Sequence, residues 1–311
     1  MNERNARFTI DCDVLPRFTA AYLRVAGDEC AFIETHTAHA LPRLLGELAR
    51  RGRKPEEVRW VVVTHAHLDH AAGAGVLLAS CPNATLLAHP RAAGHLTDPT
   101  KLVASATRVY GESRFAELYG QILPIPAERV RALGDGATFE LGGETLRVHY
   151  AAGHAKHHFV VDDPALETVY TGDAFGLVYP ALQKSARFAI ASTSPIDFDP
   201  HEARRAIDLV VGLGEKHACL THYDAIEDLD EVAAQVRGWI DRSELWLEQA
   251  VASESSADAQ TQRIATEYRA ALTEHAFGAK DLALLSTDIL LNAQGIVVAA
   301  ERRRRARQIP S

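Results

Sequence analysis

The segment of the chain best suited to chemistry is the run His-Ala-His-Leu-Asp-His at residues 65–70, where four metal-binding side chains occupy six positions. It follows a β-branched run at residues 59–64 that is typical of a buried strand. In a loop that leaves a strand, His65 and His67 can point to one side while Asp69 and His70 face another point. Imidazole and carboxylate are ligands that suit zinc, and also iron or manganese. The spacing therefore predicts two neighbouring metal ions.

Three later segments share one arrangement, in which an apolar run leads to a metal-binding side chain. Residues 146–150 lead to His154, residues 168–171 lead to Asp173, and residues 217–221 lead to His222. Open α/β sheets place their sites at strand ends. Each of these residues has an ordinary structural explanation when it is taken alone. Together, after the first motif, they predict one set of ligands.

The elements that must position these residues follow from the hydrophobic pattern. Up to about residue 230, short apolar runs alternate with helical patterns, which indicates layered α/β architecture. Strands are predicted at residues 8–12, 22–25, 30–34, 59–64, 85–88, 138–141, 146–150, 168–170 and 217–220, and helices at 40–51, from near 70, at 98–119 and at 201–212. Strand formers then thin out, and helices are predicted at 229–253, 258–275 and 280–306. We therefore predict a catalytic domain at 1–230 and a helical C-terminal extension at 231–311.

The order of the motifs resembles the metallo-β-lactamase superfamily over about residues 8–230, with HxHxDH followed by Gly-His, Thr-Gly-Asp and Thr-His. The resemblance implies a four-layer αββα sandwich of two mixed sheets with helices outside, whereas the periodicity alone supports only α/β. It also implies two divalent metal ions, with zinc preferred and iron or manganese as alternatives. In the family pattern, His65, His67 and His154 would hold the first metal, Asp69, His70 and His222 the second, and Asp173 would bridge both.

This ligand set predicts a binuclear hydrolase. Two divalent ions that share a solvent molecule lower its pKa towards neutrality, so that a bridging hydroxide becomes the nucleophile. The expected reaction is cleavage of an ester, lactone, thioester or related acyl bond. Asp69, Asp173 and His158 are the predicted catalytic residues, with Asp69 relaying a proton while it remains a ligand.

Two features depart from the family pattern or exceed it. Where members often carry Asp-Thr-Gly after the early strand, this chain has Glu34-Thr35-His36, so the supporting turn is expected to be built differently. His157 and His158 follow the Gly-His motif and are not needed as ligands. They are expected to orient the substrate, act as an acid or hydrogen-bond near the ligands, and His158 is the stronger candidate.

Other functions remain open at this stage. A non-haem iron oxygenase, such as a persulfide dioxygenase, uses the same fold with one iron, but the complete second ligand set favours two metals. The flavo-diiron branch ranks third, because it usually has Glu where this chain has His67 and because no flavodoxin-like domain follows. A purely binding role would leave the seven ligands unexplained. Glutathione thioester hydrolases and acyl-homoserine lactonases both remain candidates within the hydrolases.

Composition limits the partners. The net charge of −8 argues against nucleic-acid binding, and the basic residues 302–305 and Arg307 are interpreted as a solvated helix end. The four cysteines have no CxxC pairing and are predicted to be reduced thiols. The polar N-terminus and the lack of a long apolar run predict a cytoplasmic protein. We expect a small-molecule substrate and no membrane partner. The C-terminal helices are expected to pack either against the main domain or against another copy of the chain, which would form a homodimer.

Overall fold

The computed structural model describes residues 4–12, 16–184, 186–275 and 277–308. Its strands are β1 (Asn5–Asp11), β2 (Ala20–Ala26), β3 (Glu29–Ile33), β4 (Val58–Val62), β5 (Thr85–Ala88), β6 (Val130–Ala132), β7 (Thr138–Leu141), β8 (Glu144–Tyr150), β9 (Phe159–Asp163), β10 (Thr168–Gly172), β11 (His217–Leu220) and β12 (Asp224–Ile226). Its α-helices are α1 (Leu41–Arg50), α2 (Leu68–Ala71), α3 (Ala74–Ser80), α4 (Pro90–Thr97), α5 (Thr100–Tyr110), α6 (Glu112–Tyr119), α7 (Pro200–Gly212), α8 (Leu229–Ala252), α9 (Ala257–Thr273), α10 (Ala279–Leu284) and α11 (Ser286–Gln308).

The chain divides into two compact units. The first comprises Met1–Tyr150, His157–Gly172 and Gly212–Leu229, and the second comprises Ala151–Lys156, Asp173–Val211 and Asp230–Ser311. The predicted boundary at residue 230 lies next to the last of these divisions. The assignment of 1–230 and 231–311 as separate domains stays a prediction.

Both sheets belong to the first unit. One has the order β1-β2-β3-β4-β5-β6 and the other the order β12-β11-β10-β9-β8-β7. The first is antiparallel at β1-β2-β3 and parallel from β3 to β6, and the second is antiparallel except for the β10–β11 pair. The predicted fold is confirmed: two mixed sheets are flanked by helices, and α8–α11 follow the last strand.

Side-chain alternation along the strands fills two cores in this unit. On β4, Trp60 and Val62 belong to one core, which also takes side chains from β8 and β9 of the other sheet, while Val61 belongs to a core that includes residues of α1 and α3. Successive strand residues point to opposite faces, so a strand that is buried on both faces must be apolar throughout. This is why residues 60–63 are all apolar and buried, whereas Arg59 before them is exposed.

The second unit is built around the long C-terminal helices. The Trp239 and Tyr268 rings of α8 and α9 stack with their centroids 4.7 Å apart, and the Trp246 ring lies 5.3 Å from the Tyr268 ring. The apolar face predicted on the first of these helices is buried. None of the helices in the described part of the chain combines the length and the apolar character needed to cross a bilayer. Whether these helices form a homodimer contact or pack against the main domain stays a prediction with both alternatives open.

All four cysteines are buried free thiols. Burial raises the pKa of Cys12 and Cys219 to about 12 and that of Cys30 and Cys81 to about 11. Because the thiolate is the reactive form, these side chains are inert at neutral pH. The prediction of reduced thiols is confirmed.

A pair of carboxyl groups in the first unit predicts a specific pH dependence of stability. Burial, followed by the neighbouring Asp162 charge, raises the pKa of Glu215 from 4.5 to about 7. A carboxyl whose pKa is higher in the folded state than in the unfolded state binds more protons when folded. Its contribution to the free energy of unfolding is therefore fully present below pH 4.5 and is lost as the pH rises through about 7. Glutamine does not ionise, so the variant Glu215→Gln does not lose this contribution. The thermal midpoint of the variant minus that of the parent chain is therefore expected to be larger at about pH 8 than at about pH 5.

The measurement is the thermal midpoint of both proteins at the two pH values. Glu254→Gln is the control, because Glu254 is an exposed carboxylate on the same chain. If the two variants show the same pH dependence, the Asp162–Glu215 pair does not share a proton in the folded protein.

Candidate metal centre

The HxHxDH motif occupies the turn between β4 and α2. The β4 strand ends at Val62, and α2 starts at Leu68, with the backbone N–H groups of His70 and Ala71 donating to the His67 carbonyl at 3.0 Å. The backbone N–H and the hydroxyl of Thr35 donate to the His70 carbonyl at 3.0 and 2.9 Å. The turn that follows β3 therefore holds the short helix that carries Asp69 and His70.

Asp69, His70 and His222 converge within the first unit. The Asp69 Oδ2 atom lies 3.4 Å from His222 Nε2 and 3.8 Å from His70 Nε2, and their ligand atoms all lie within 4.8 Å of one another. Two ligands at about 2.0–2.1 Å from a tetrahedral zinc ion would be about 3.3 Å apart. Two imidazole nitrogens and a carboxylate oxygen at this spacing fit a divalent cation.

His65 is oriented by a hydrogen-bonded chain. The Thr64 hydroxyl donates to Glu34 Oε1, and its oxygen lies 3.1 Å from His65 Nδ1. Since the hydroxyl proton is directed to the carboxylate, the oxygen accepts from His65 Nδ1–H. That tautomer leaves the Nε2 lone pair available to a metal, an arrangement that fixes the ring of ligating histidines. The His65 ring centroid lies 4.5 Å from that of His67 and 4.0 Å from that of His70.

Glu34 also faces a second histidine of the motif. Its side chain is 1% exposed, its Oε1 accepts from the Thr64 backbone N–H at 3.2 Å, and its Oε2 lies 3.5 Å from His70 Nδ1. The carboxylate therefore contacts His65 through Thr64 and lies beside the His70 ring. Sequence reasoning left the role of Glu34 open, because the contact joins residues about 30 positions apart.

The turn after β3 contains two residues in a strained backbone conformation. Glu34 and His36 have φ of 67° and 55°, in the left-handed region that side chains other than glycine rarely adopt. His36 is buried, and burial lowers its pKa to about 4, although the nearby Asp69 carboxylate acts in the opposite direction. His36 is therefore neutral at physiological pH.

His157 and His158 lie beside the motif in the same unit. The Ala66 backbone N–H donates to His157 Nδ1 at 3.3 Å, so a neutral His157 carries its proton on Nε2. His158 is buried, with its ring centroid 4.7 Å from that of His65. A Cβ on Gly172, which has φ of 51°, would lie 2.6 Å from His158 Nε2 and 2.5 Å from Thr64 Oγ1, so the glycine of Thr-Gly-Asp makes room for these side chains.

His154 and Asp173 meet within the second unit. His154 Nε2 lies 3.5 Å from Asp173 Oδ2, and both side chains are buried. His154 Nδ1 lies 3.3 Å from the Ser192 carbonyl, which can only accept, so Nδ1 carries the proton and Nε2 faces the carboxylate. The Ser192 hydroxyl donates to Asp173 Oδ2 at 3.2 Å. Sequence reasoning missed Ser192, because no motif surrounds it.

Comparison with known proteins identifies the family of the chain. Residues 14–224 match the family model described as the metallo-beta-lactamase superfamily. The chain belongs to the metallo-β-lactamase superfamily. The family match confirms the predicted membership of this superfamily. Members of the superfamily are mostly metal-dependent hydrolases.

Several proteins of this superfamily are similar to the chain. The metallo-beta-lactamase fold-containing protein ST1585 of Sulfurisphaera tokodaii is 30% identical over 132 residues, which cover 40% of this chain and 47% of the relative. The match thus spans about half of the relative's length. The crystal structure of ST1585 from Sulfolobus tokodaii superposes on this chain with a TM-score of 0.64 at 19% identity. The superposition covers 94% of this chain and 98% of that chain.

Two further solved structures share the superfamily fold with this chain. The family protein TTHA1429 from Thermus thermophilus has a TM-score of 0.65 at 18% identity, covering 96% of this chain and 94% of that chain. A structure described as a peroxy diiron species of the chemotaxis sensor ODP has a TM-score of 0.54 at 12% identity, covering 76% of this chain and 92% of that chain. These likenesses concern the fold alone.

Thr64→Val tests how a superfamily metal site depends on its supporting hydrogen bonds. Valine has nearly the shape of threonine but can neither accept from His65 Nδ1 nor donate to Glu34. Loss of such support typically lowers metal affinity by about 10–100-fold, and we expect an effect of this size. The measurement is competition for Zn²⁺ with a chelator of known affinity.

The control is Thr145→Val, since the Thr145 hydroxyl also donates to a glutamate, Glu140, but at an exposed site on another part of the unit. It should leave metal affinity unchanged. Equal affinities in the two variants would show that the Glu34–Thr64–His65 chain does not orient a ligand.

Proposed function

We propose that the protein is a binuclear metal-dependent hydrolase of acyl bonds. The observation that carries the proposal is the convergence of Asp69, His70 and His222, whose spacing and chemistry suit a divalent cation. In the superfamily pattern, the full set of ligands is His65, His67, Asp69, His70, His154, Asp173 and His222. We propose two zinc ions as the native metals.

The orientation of the histidine rings supports this assignment. His65, His70 and His154 each turn Nδ1 towards an oxygen atom, of Thr64, Glu34 and Ser192 respectively. In His65 and His154 the Nδ1 proton is directed to that oxygen, so Nε2 is the nitrogen that would face a metal. A set of surface or core histidines would have no reason to share this orientation, whereas ligating histidines are usually held in this way.

Two bound divalent ions would supply an activated water and a Lewis acid for the scissile carbonyl. The residues of the chain would hold and move the protons. The Asp69 side chain is 46% exposed, so it can exchange protons with solvent and with a leaving group, and we assign it the proton relay. His158 is buried beside His65 and is assigned to the positioning of that ring.

The proposed substrates are esters, lactones and thioesters. No basic cluster surrounds His222 in the sequence, and this disfavours a polyanionic substrate such as glutathione conjugates. A neutral acyl substrate is compatible with a chain of net charge −8.

An iron oxygenase is the second candidate. Imidazole and carboxylate donors without thiolate also suit non-haem iron, and the structure of the chemotaxis sensor ODP, whose description names a diiron species, shares the fold. This candidate differs from hydrolysis in two measurable properties, which are the identity of the metal and the consumption of oxygen.

The test is elemental analysis of protein purified without added metal, together with assays on a panel of lactones, thioesters, esters and β-lactams. We expect close to two zinc, manganese or iron ions per chain and hydrolysis of at least one acyl class. Asp69→Asn is the control for contaminating hydrolases, because it keeps the shape of the side chain and removes its charge. One iron per chain with oxygen uptake and no hydrolysis would favour the oxygenase, and a protein without metal would contradict both.

A further inference from the structure

A short segment of the second unit, Ala191–Ser192–Thr193, is bonded to the C-terminal helix α11. Asn292 of α11 is 2% exposed, and its Oδ1 accepts from the Thr193 backbone N–H at 2.8 Å. Its Nδ2 donates to the Ala191 carbonyl at 3.1 Å and to the Tyr268 hydroxyl at 3.2 Å. The Thr193 hydroxyl donates to the Asn292 carbonyl at 3.1 Å. The amide therefore bonds to the segment on both sides of Ser192.

A glycine of the same helix brings the backbones together. A Cβ added to Gly295 would lie 1.7 Å from the Thr193 carbonyl oxygen, a distance that no side chain can occupy. The helix therefore approaches the segment at a point where only glycine fits. Asn292 and Gly295 are three residues apart and so share one face of α11.

The middle residue of this segment contacts both candidate ligands of the second unit. The Ser192 carbonyl accepts from His154 Nδ1–H at 3.3 Å, and the Ser192 hydroxyl donates to Asp173 Oδ2 at 3.2 Å. A chain of direct contacts thus runs from α11 through Ala191–Thr193 to His154 and Asp173. All of these residues belong to the second unit.

We propose that Asn292 and Gly295 are positioning residues of the metal centre, which hold Ser192 where its carbonyl and hydroxyl orient His154 and Asp173. The inference rests on the proposed function, which assigns those two residues as ligands. The C-terminal helices then contribute to the metal site. Metal affinity depends on Asn292, which lies more than 100 positions after His154 and Asp173 in the sequence.

The energetic reason lies in the burial of the amide. An unpaired buried donor or acceptor destabilises the fold, so the Thr193 N–H and the Ala191 carbonyl favour the one position in which Asn292 satisfies both. Asn292→Leu keeps the approximate volume and removes that preference. The segment is then free to shift, and Ser192 with it.

The experiment compares metal affinity and stability in matched variants of the full chain. Zn²⁺ affinity is measured by chelator competition, and thermal midpoints are measured without metal. Asn292→Leu and Ser192→Ala are expected to lower Zn²⁺ affinity by about 10–100-fold, while Ser192→Thr, which keeps a hydroxyl, retains most of it. Ile296→Ala is the control, because Ile296 is fully buried on the same helix and has no polar side chain.

The comparison separates positioning from general stability. Ile296→Ala is expected to lower the thermal midpoint without changing Zn²⁺ affinity. If Asn292→Leu behaves in the same way, α11 only stabilises the unit and the inference is wrong. If the unaltered protein binds no Zn²⁺, Mn²⁺ or iron at all, the proposed function fails, and the role of Asn292 in the metal centre fails with it.

Discussion

Asp173→Ala is expected to lose bound metal and turnover together. In the proposed assignment Asp173 would bridge both ions, so its loss would remove a ligand from each of them. Its carboxylate is 6% exposed, is held by the Ser192 hydroxyl and lies 3.5 Å from His154 Nε2. Metal ions contribute several kcal/mol of transition-state stabilisation, and about 1.4 kcal/mol corresponds to a factor of ten. The expected loss of turnover is therefore about 1,000-fold or more.

The measurement is metal content per chain beside turnover on whichever acyl substrate the parent protein cleaves. His157→Asn is the matched control, since it replaces another polar residue near the motif and keeps an acceptor for the Ala66 N–H. It should retain both metals. Normal turnover in Asp173→Ala would contradict the assignment of this residue, and metal loss in His157→Asn would mean that His157 had been wrongly excluded from the ligands.

The strands β4, β10 and β11, which lead to candidate ligands, were predictable because most of their side chains are buried. Among all the predicted strands, three have the predicted bounds, namely Thr85–Ala88, Thr138–Leu141 and His217–Leu220. A buried strand must be apolar throughout, and a polar side chain at its end stands out against that background. The same contrast between an apolar strand and the polar side chain at its end predicted the positions of the candidate ligands. One sequence pattern therefore predicted both the strands and the site.

Other elements carried no such signal. β9 ends in Asp162 and Asp163, and two successive acidic residues are typical of a loop. Asp163 lies in a strand because the Arg24 side chain, which is distant in the sequence, compensates its charge. β6 and β12 are only three residues long, which is too short for a periodic pattern. The predicted helix at 280–306 is divided at Leu285 into α10 and α11.

The residues that support the ligands were beyond the reach of sequence reasoning. Glu34, Ser192 and Asn292 act through contacts that join distant parts of the chain. The spacing of residues within a short motif does not predict such a contact, because the fold determines which distant residues meet. The candidate ligands could be predicted from the sequence, since metal binding requires particular residue types at strand ends.

Arg24→Met is expected to destabilise the first unit by about 3–5 kcal/mol, the usual cost of leaving one partner of a buried ion pair alone. The Arg24 and Asp163 side chains are both 0% exposed, with Arg24 Nε donating to Asp163 Oδ2 at 2.6 Å. Arg24 also donates to Asp163 Oδ1 at 3.3 Å, to the Asn5 side chain at 2.6 Å and to Glu144. Methionine fills much of the volume but leaves the Asp163 carboxylate without a cation in a low-dielectric interior.

The measurement is the free energy of unfolding from denaturant titration, with Arg205→Met as the control. The Arg205–Glu202 pair is exposed, with side chains 67% and 40% accessible, and such pairs contribute about 0–1 kcal/mol. The double variant Arg24→Met/Asp163→Leu distinguishes the cause. Because apolar replacement of a whole buried pair is often neutral or stabilising, it should recover most of the loss. If the double variant is less stable than Arg24→Met, the unpaired Asp163 charge does not cause the loss of stability. The loss would then come from the missing contacts of Arg24 with its other partners.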